Sequence, residues 1–254
     1  MSKDSGLRAG SLLWQTLQTV FRRRRKEFIE PPLVAGALDA DTLRELLGKP
    51  NPVILEIGCN DGEHTRMFMQ CFAEARIYAF EPDVRARARF ESNIQDKRVQ
   101  LFATAVGAND GITTFYPSNG LPPNKSAANM PGGWDLSGSI RAPKEHLDMH
   151  PWCRFDAGID VAVTRLDSWR RQQAVGTVDF IWADVQGAEG DLIKGGRETL
   201  ANTRYFYTEY NNRELYEGQL GLRELLTLLP DFDVVERYPH DVLLRNRRYA
   251  ARTR

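Results

Sequence analysis

Cysteine is scarce: Cys59, Cys71 and Cys153 are the three in 254 residues, an odd number with no C-x-x-C pair. That argues against a disulfide framework and against a cysteine-rich zinc site, and the compartment expected for such a chain is the reducing cytoplasm. Long apolar runs are missing as well. No stretch of roughly 18 apolar residues exists, and the N-terminus has no small-residue cleavage pattern behind an apolar core, so neither a membrane span nor a secretory signal is expected. Net charge is absent too, with 34 Lys and Arg against 34 Asp and Glu, and no internal repeat is evident. What remains is a length and a 42% apolar content that can fill the core of one α/β domain, with or without an appendage.

The zero balance conceals an uneven distribution. Residues 27–244 carry 22 Lys and Arg against 33 Asp and Glu; the excess of base sits at the ends, in Arg22-Arg23-Arg24-Arg25-Lys26 and in the tail from Arg245 to Arg254. Ahead of the first cluster, Leu12, Leu13, Leu17 and Val20, with Trp14 and Phe21, suit a short amphipathic helix. Two readings of residues 11–26 stay open. One is a helix on an anionic membrane surface, placing the protein peripherally at the inner face of the membrane; the other is a helix packed on the domain, or on a second copy in a homo-oligomer, with a solvated arginine face. The packed helix is the simpler. Nucleic acid is not expected as a partner, because no aromatic-interleaved basic face accompanies the charge. Residues 1–50 are read as an N-terminal helical extension and 51–254 as the main domain.

The main domain opens on Val53-Ile54-Leu55-Glu56-Ile57-Gly58-Cys59-Asn60-Asp61-Gly62, an apolar run that contains an acid and ends in a glycine-punctuated turn. A parallel strand buried on both faces reads as such a run, and glycine lets the turn bring its backbone close to a ligand. A helical stretch from Glu63 follows, then a second strand, Arg76 to Phe80, ending at Glu81. An acid there can accept both ribose hydroxyls, so Glu81 points to a nucleoside without naming it. A dinucleotide fingerprint needs G-x-G-x-x-G, yet Asn60 and Glu63 stand at the second and third glycine positions, which weakens NAD. Glu56 suits S-adenosylmethionine better, since its carboxylate can help hold a loop that receives the cationic aminocarboxypropyl arm. The pattern is that of a class I methyltransferase.

Alternation of helices and strands continues, which predicts a Rossmann-like α/β fold with a mostly parallel, seven-stranded, doubly wound sheet. Val99 to Ala105 is expected as the third strand and Gly111 to Tyr116 as an added one. Residues 117–158 then break the pattern with six prolines and five glycines, too many for long regular elements. Trp134, Trp152 and Phe155 argue for order there, and this segment is read as a substrate-recognition insert. Strands return at Asp160 to Leu166, Val178 to Ala183 ending at Asp184, and Arg204 to Thr208 ending at Glu209, with a helix from Glu189 through Leu200 between the last two; Phe232 to Glu236 and Asp241 to Leu244 form a closing hairpin with an antiparallel last strand. In open sheets the ligand crevice lies outside the carboxyl ends of the strands. Glu56, Glu81, Asp184 and Glu209 are therefore expected to converge on one rim.

Over residues 52–245 the chain resembles the FkbM-type S-adenosylmethionine-dependent methyltransferases. The residues that carry the resemblance are Glu56 to Thr65, Ala79-Phe80-Glu81-Pro82, Thr164-Arg165-Leu166-Asp167-Ser168 and, most specifically, Val178 to Glu189 with its Asp184-Val185-Gln186-Gly187-Ala188-Glu189 turn. The resemblance implies O-methylation, commonly of sugar hydroxyls in polysaccharides, glycolipids or natural products. It implies cofactor contacts at Glu56, Gly58, Asn60, Gly62, His64, Thr65, Glu81, Ala105 and Asp184. Asn60 stands in place of the generic loop's middle glycine, and Gln186 stands where many members carry Glu. An amide takes no proton at neutral pH, so position 186 is no base in this chain.

Methyl transfer to a hydroxyl needs in-line approach and removal of a proton. Asp184 and Glu209 have the best expected location for catalysis. By analogy with related sugar methyltransferases, the same two carboxylates could hold Mg2+ or Mn2+, which would lower the hydroxyl's pKa. His64 is expected to shape the cofactor loop and His240 to sit at the closing hairpin; His146 and His150 share a helical i, i+4 spacing but lie between Pro143 and Pro151. A reading from another class is a noncatalytic nucleoside-binding subunit that recruits a partner or membrane through its basic termini.

Overall fold

The computed structural model describes residues 30–126 and 132–250, so the expected helix at 11–26 and the last residues of the basic tail lie outside the described residues. Twelve strands occur among the described residues: β1 (Val53–Ile57), β2 (Arg76–Phe80), β3 (Val99–Phe102), β4 (Ala105–Val106), β5 (Gly111–Phe115), β6 (Ser118–Gly120), β7 (Cys153–Phe155), β8 (Ile159–Thr164), β9 (Val178–Ala183), β10 (Thr203–Glu209), β11 (Phe232–Arg237) and β12 (Asp241–Asn246). Seven of them form one sheet in the order β11-β12-β10-β9-β1-β2-β3. All its pairings are parallel except those of β12, which runs antiparallel to both β10 and β11. This is the doubly wound sheet with a reversed last strand that the alternation of elements predicts.

The central position of β9 explains its composition. Flanked by β1 and β10 and covered on both faces, all six of its residues are buried, which is why it reads as a continuous apolar run. Its one acid, Asp179, accepts from Lys49 Nζ and the Val53 amide at 2.9 Å each and from Arg204 at 3.3 Å, so the buried charge is paired and pins the start of β1. Phe68, on helix Glu63–Cys71, and Phe72, which caps it, pack with Ile54, Phe180 and Trp182 and with Leu43 and Leu47 of helix Ala40–Leu47. That helix, which the sequence reading placed in an extension ending at residue 50, therefore belongs to the domain core. The compact unit begins at Pro32.

Two expectations need correction. The third strand ends at Phe102 rather than Ala105: the Thr104 amide turns back onto Phe102 O at 2.9 Å, and β4 leaves for a separate three-stranded sheet, β4-β8-β5. The helix expected to run unbroken from Glu189 to Leu200 is two helices, Glu189–Gly195 and Arg197–Ala201. The second is capped by buried Asp167, which accepts from the Glu198 and Thr199 amides at 3.2 and 2.8 Å and from the Thr199 hydroxyl at 2.8 Å. The aspartate of the Thr164–Ser168 block thus has a structural task. Within 117–158, β6 and β7 pair antiparallel and Trp134 meets Trp152 edge to face at 5.0 Å, so the described part of this insert is ordered despite its prolines. No helix among the described residues is long and apolar enough to cross a membrane.

Candidate active site

Register brings the carboxyl ends of four strands together. Ile57 on β1 lies beside Ala183 on β9, and Ala183 beside Thr208 on β10. The next residues, Gly58, Asp184 and Glu209, are therefore neighbours on the rim, and Asp241 pairs with Glu209 from β12. Gly58 has φ 85, and a Cβ there would lie 1.9 Å from the Asp184 carbonyl oxygen. Only glycine fits. On the other side Glu81 follows β2, and its two carboxylate oxygens accept from the Asn60 amide at 2.9 Å and the Asp83 amide at 2.8 Å.

The loop 58–62 is built differently from an open nest of donors. The Gly58 and Cys59 amides both donate to Phe80 O, at 3.0 and 3.1 Å, and the Asn60 amide is spent on Glu81. Its contribution to a ligand is close approach rather than free N–H groups. Asn60 has φ 43, a left-handed conformation that asparagine tolerates better than most side chains, which accounts for its presence where the generic loop has glycine.

Between Glu81 and Asp184 lies a cleft of about 620 Å³ lined also by Gly58, Asn60, Ala105, Phe115, Asp135, Ser139 and Gln186. Of the residues expected at the cofactor, Gly58, Asn60, Glu81, Ala105 and Asp184 line it. Glu56, Gly62, His64 and Thr65 do not, and neither does Glu209, expected for catalysis beside Asp184. Glu56 faces inward from β1, fully buried, where it accepts the Thr65 hydroxyl while its other oxygen has no partner; it braces the loop from beneath and is not on the rim, because it lies within the strand, one position before its end. Burial raises its carboxyl to about 8, and that of Glu81 to about 7. His64 stacks on Trp182 with ring centroids 4.2 Å apart; burial lowers its pKa, against the pull of Asp184. Gly62 turns under Phe90 and Ile94.

Several functional contacts were invisible in the sequence. Gln186, in the left-handed region at φ 50, donates its amide nitrogen to Asp184 Oδ1 at 2.6 Å and to Glu209 Oε2 at 2.9 Å, and its amide oxygen accepts the Tyr216 hydroxyl at 3.0 Å. Burial, with the neighbouring carboxylates of Asp184, Glu189 and Asp241, pushes the Glu209 carboxyl well above the usual carboxylate range. Asp135, from the insert, is ion-paired to Arg89, whose guanidinium also reaches Asn60 Oδ1 at 3.3 Å. The Pro- and Gly-rich context of Asp135 and the isolated position of Tyr216 gave no local signal.

Residues 56–243 match the family model of the methyltransferase FkbM domain. The chain belongs to this family. It is also 50% identical over 206 residues to the 2-O-methyltransferase NoeI of Sinorhizobium fredii (strain NBRC 101917 / NGR234), covering 79% of this chain and 82% of that protein. Among solved structures, an rRNA methylase from Streptococcus thermophilus aligns over 87% of this chain and 99% of its own at 9% identity and a TM-score of 0.42. Aeropyrum pernix fibrillarin with natively bound S-adenosyl-L-methionine aligns over 81% and 72% at 17% identity and 0.40.

This FkbM chain is an S-adenosylmethionine-dependent methyltransferase, and its cleft suits that cofactor: a carboxylate held by two amides waits at one end, and at the other the backbone of Gly58 leaves no room for a side chain. A divalent ion suits it less. The ion would have to sit where the Gln186 amide hydrogens point at Asp184 and Glu209, and among the described residues no group of three or more His, Cys, Asp or Glu side chains is placed to hold a metal. His146 and His150 lie 4.9 Å apart, ring to ring, but His146 Nε2 is engaged with Ser137 Oγ at 3.1 Å. His240 is exposed.

The buried acids of this FkbM fold make stability depend on pH. Glu56, Glu81 and Glu189 have carboxyls raised to about 8, 7 and 7, chiefly by burial. Folded chains therefore hold more protons than unfolded ones from about pH 4.5 upward, so stability is lost as pH rises through the folded values. The lowered His64 and His146 act oppositely, but only below their ordinary value of 6.5. Thermal midpoints of the ligand-free protein should fall between pH 6.5 and 8, as scanning calorimetry would record. A flat or rising midpoint would contradict the buried acids.

Proposed function

We propose that this FkbM methyltransferase moves the methyl group of S-adenosylmethionine to a hydroxyl of a sugar or glycosylated molecule, with Asp184 as the general base. The observation that carries the reading is the span of one cleft from Glu81, placed for a ribose, past Gly58 to Asp184 at the end of the central strand. Similarity to a 2-O-methyltransferase supports oxygen as the acceptor atom. The bound cofactor supplies an electrophilic methyl carbon on a sulfonium. Glu81 accepts the ribose hydroxyls on the lone pairs its two amide donors leave free. Asn60 and Gly58 let the backbone approach, and Ala105 with Phe115 offers an apolar wall to the base. Asp184 accepts the acceptor's hydroxyl proton as the oxygen bonds to the methyl carbon; the carbon–sulfur bond breaks, its electron pair stays on sulfur, and a neutral thioether, a methyl ether and a protonated carboxyl result. The insert, which places Asp135, Leu136 and Ser139 on the cleft, receives the acceptor.

Calorimetric titration with S-adenosylmethionine and with NAD tests the cofactor, and release of S-adenosylhomocysteine over a panel of deoxysugars, oligosaccharides and glycolipids tests the transfer. Saturable NAD binding without S-adenosylmethionine binding, or no release with any acceptor, would end the proposal. Within it, Glu81→Ala should weaken S-adenosylmethionine by about 1–3 kcal/mol, the worth of charged hydrogen bonds lost. Unchanged affinity would remove Glu81 from the site.

A further inference from the structure

Gln186 touches both rim acids and the insert. A long side chain in the left-handed region is uncommon, and such outliers persist where the surroundings over-determine them. Here four contacts do so. Its amide nitrogen has two hydrogens and two carboxylate acceptors, Asp184 and Glu209; its amide oxygen shares the single Tyr216 hydroxyl hydrogen with Ser137 O; and its backbone carbonyl accepts the Ser139 hydroxyl at 2.7 Å. Two of these tethers lead into the insert. Ser139 belongs to it, and the buried Tyr216 hydroxyl lies 2.8 Å from Ser137 O. Ser137 Oγ in turn accepts from Trp134 Nε1 at 2.8 Å and meets His146 Nε2. Tyr216 also packs on Gly187, where a Cβ would lie 2.8 Å from it.

The titratable groups around Asp184 are three acids and one histidine. Glu209 from β10, Glu189 from helix Glu189–Gly195 and Asp241 from β12 are acids, and His64 from helix Glu63–Cys71 has its ring on Trp182. The Gln186 amide is thus a neutral clamp that gives the Asp184 and Glu209 side chains a common donor without bringing a titrating proton of its own to the reaction.

We propose that Gln186 is a positioning residue that aims the Asp184 carboxylate at the acceptor hydroxyl and ties that aim, through Tyr216 and Ser139, to the seating of the 117–158 insert. This rests on Asp184 being the base. A misplacement of about 1 Å at a reacting group can cost about 100-fold in rate, so the clamp acts on kcat and not on the cofactor.

The test is a double-mutant cycle in the full chain with Gln186→Leu and Tyr216→Phe, measuring kcat and KM for an acceptor found in the panel and Kd for S-adenosylmethionine. Gln186→Leu should lower kcat by about 10- to 100-fold and Tyr216→Phe by about 3- to 10-fold, each with cofactor Kd changed less than about 3-fold. The double variant should be no slower than Gln186→Leu alone, because both act along one path. Gln186→Met, of similar length but without the amide donor or a charge, should be as slow as Gln186→Leu and covers the case in which the leucine variant does not fold. Wild-type kcat in Tyr216→Phe, multiplicative losses in the double variant, or full activity in Gln186→Met would overturn the coupling while leaving the methyltransferase reading intact. No S-adenosylhomocysteine from the wild type with any acceptor would overturn both.

Discussion

Asp184→Asn should lower kcat by about 100- to 10,000-fold, the range a lost general base covers, and should lower S-adenosylmethionine affinity far less. The reason lies in where Asp184 is anchored. Its amide donates to Ile57 O at 2.9 Å and its carbonyl closes on Gly58, so the backbone at this corner belongs to the sheet and does not depend on the carboxylate. Asparagine keeps the side chain's shape and a partner for Gln186, and removes only the ability to take a proton. Stopped assays for S-adenosylhomocysteine, beside calorimetric binding, separate the two quantities. Chelation should leave the wild-type rate intact, since the Gln186 amide occupies the space between the two acids. Inhibition by a chelator with recovery in Mg2+ or Mn2+ would replace the base with a metal. Full activity in Asp184→Asn, with folding verified, would remove Asp184 from catalysis.

Gly58→Ala should be the most damaging single change to the cofactor site. The new methyl would lie 1.9 Å from the Asp184 carbonyl oxygen, on two strand ends that are locked together by register, and its residue would be forced to keep φ 85. Overpacking typically costs about 1–3 kcal/mol, and the left-handed backbone adds about 1–2 kcal/mol for a residue with a Cβ. Thermal unfolding should show the loss, and saturable S-adenosylmethionine binding should disappear even in whatever fraction stays folded. Gly176→Ala, with open space around its Cβ, serves as the matched control and should behave as wild type. Normal cofactor binding in Gly58→Ala would mean that β1 and β9 do not meet as described.

The four strands that end in functional residues were legible because each is a short apolar run stopped by a glycine or an acid, and their parallel order followed from the helices between them. The third strand was read too long for a related reason: Leu101 to Val106 is almost continuously apolar, and nothing in it marks the turn at Thr104 where the chain changes sheets. Glu56 was placed on the rim by its neighbours in sequence, yet side-chain alternation along β1 turns it inward to Thr65. The insert's share of the site stayed hidden, since its bonds span the chain: Arg89 to Asp135, and Tyr216 to Ser137 across 79 positions. Position 186 could be seen to be no base; that it would clamp two acids required knowing that β10 lies beside β9.

The lining of the cleft has a consequence for turnover. Its charged residues are Glu81, Asp135 and Asp184, and no Lys, Arg or His lines it among the described residues. Arg89 neutralises Asp135, which leaves Glu81 and Asp184 to set the local field. The donor arrives with a positive sulfonium and leaves without it. A pair of unit charges about 4 Å apart gains roughly 1–4 kcal/mol between bulk water and a protein surface, so the fresh donor feels an attraction that the spent thioether does not. Exchange of one for the other is thereby favoured by the walls themselves, with no moving part.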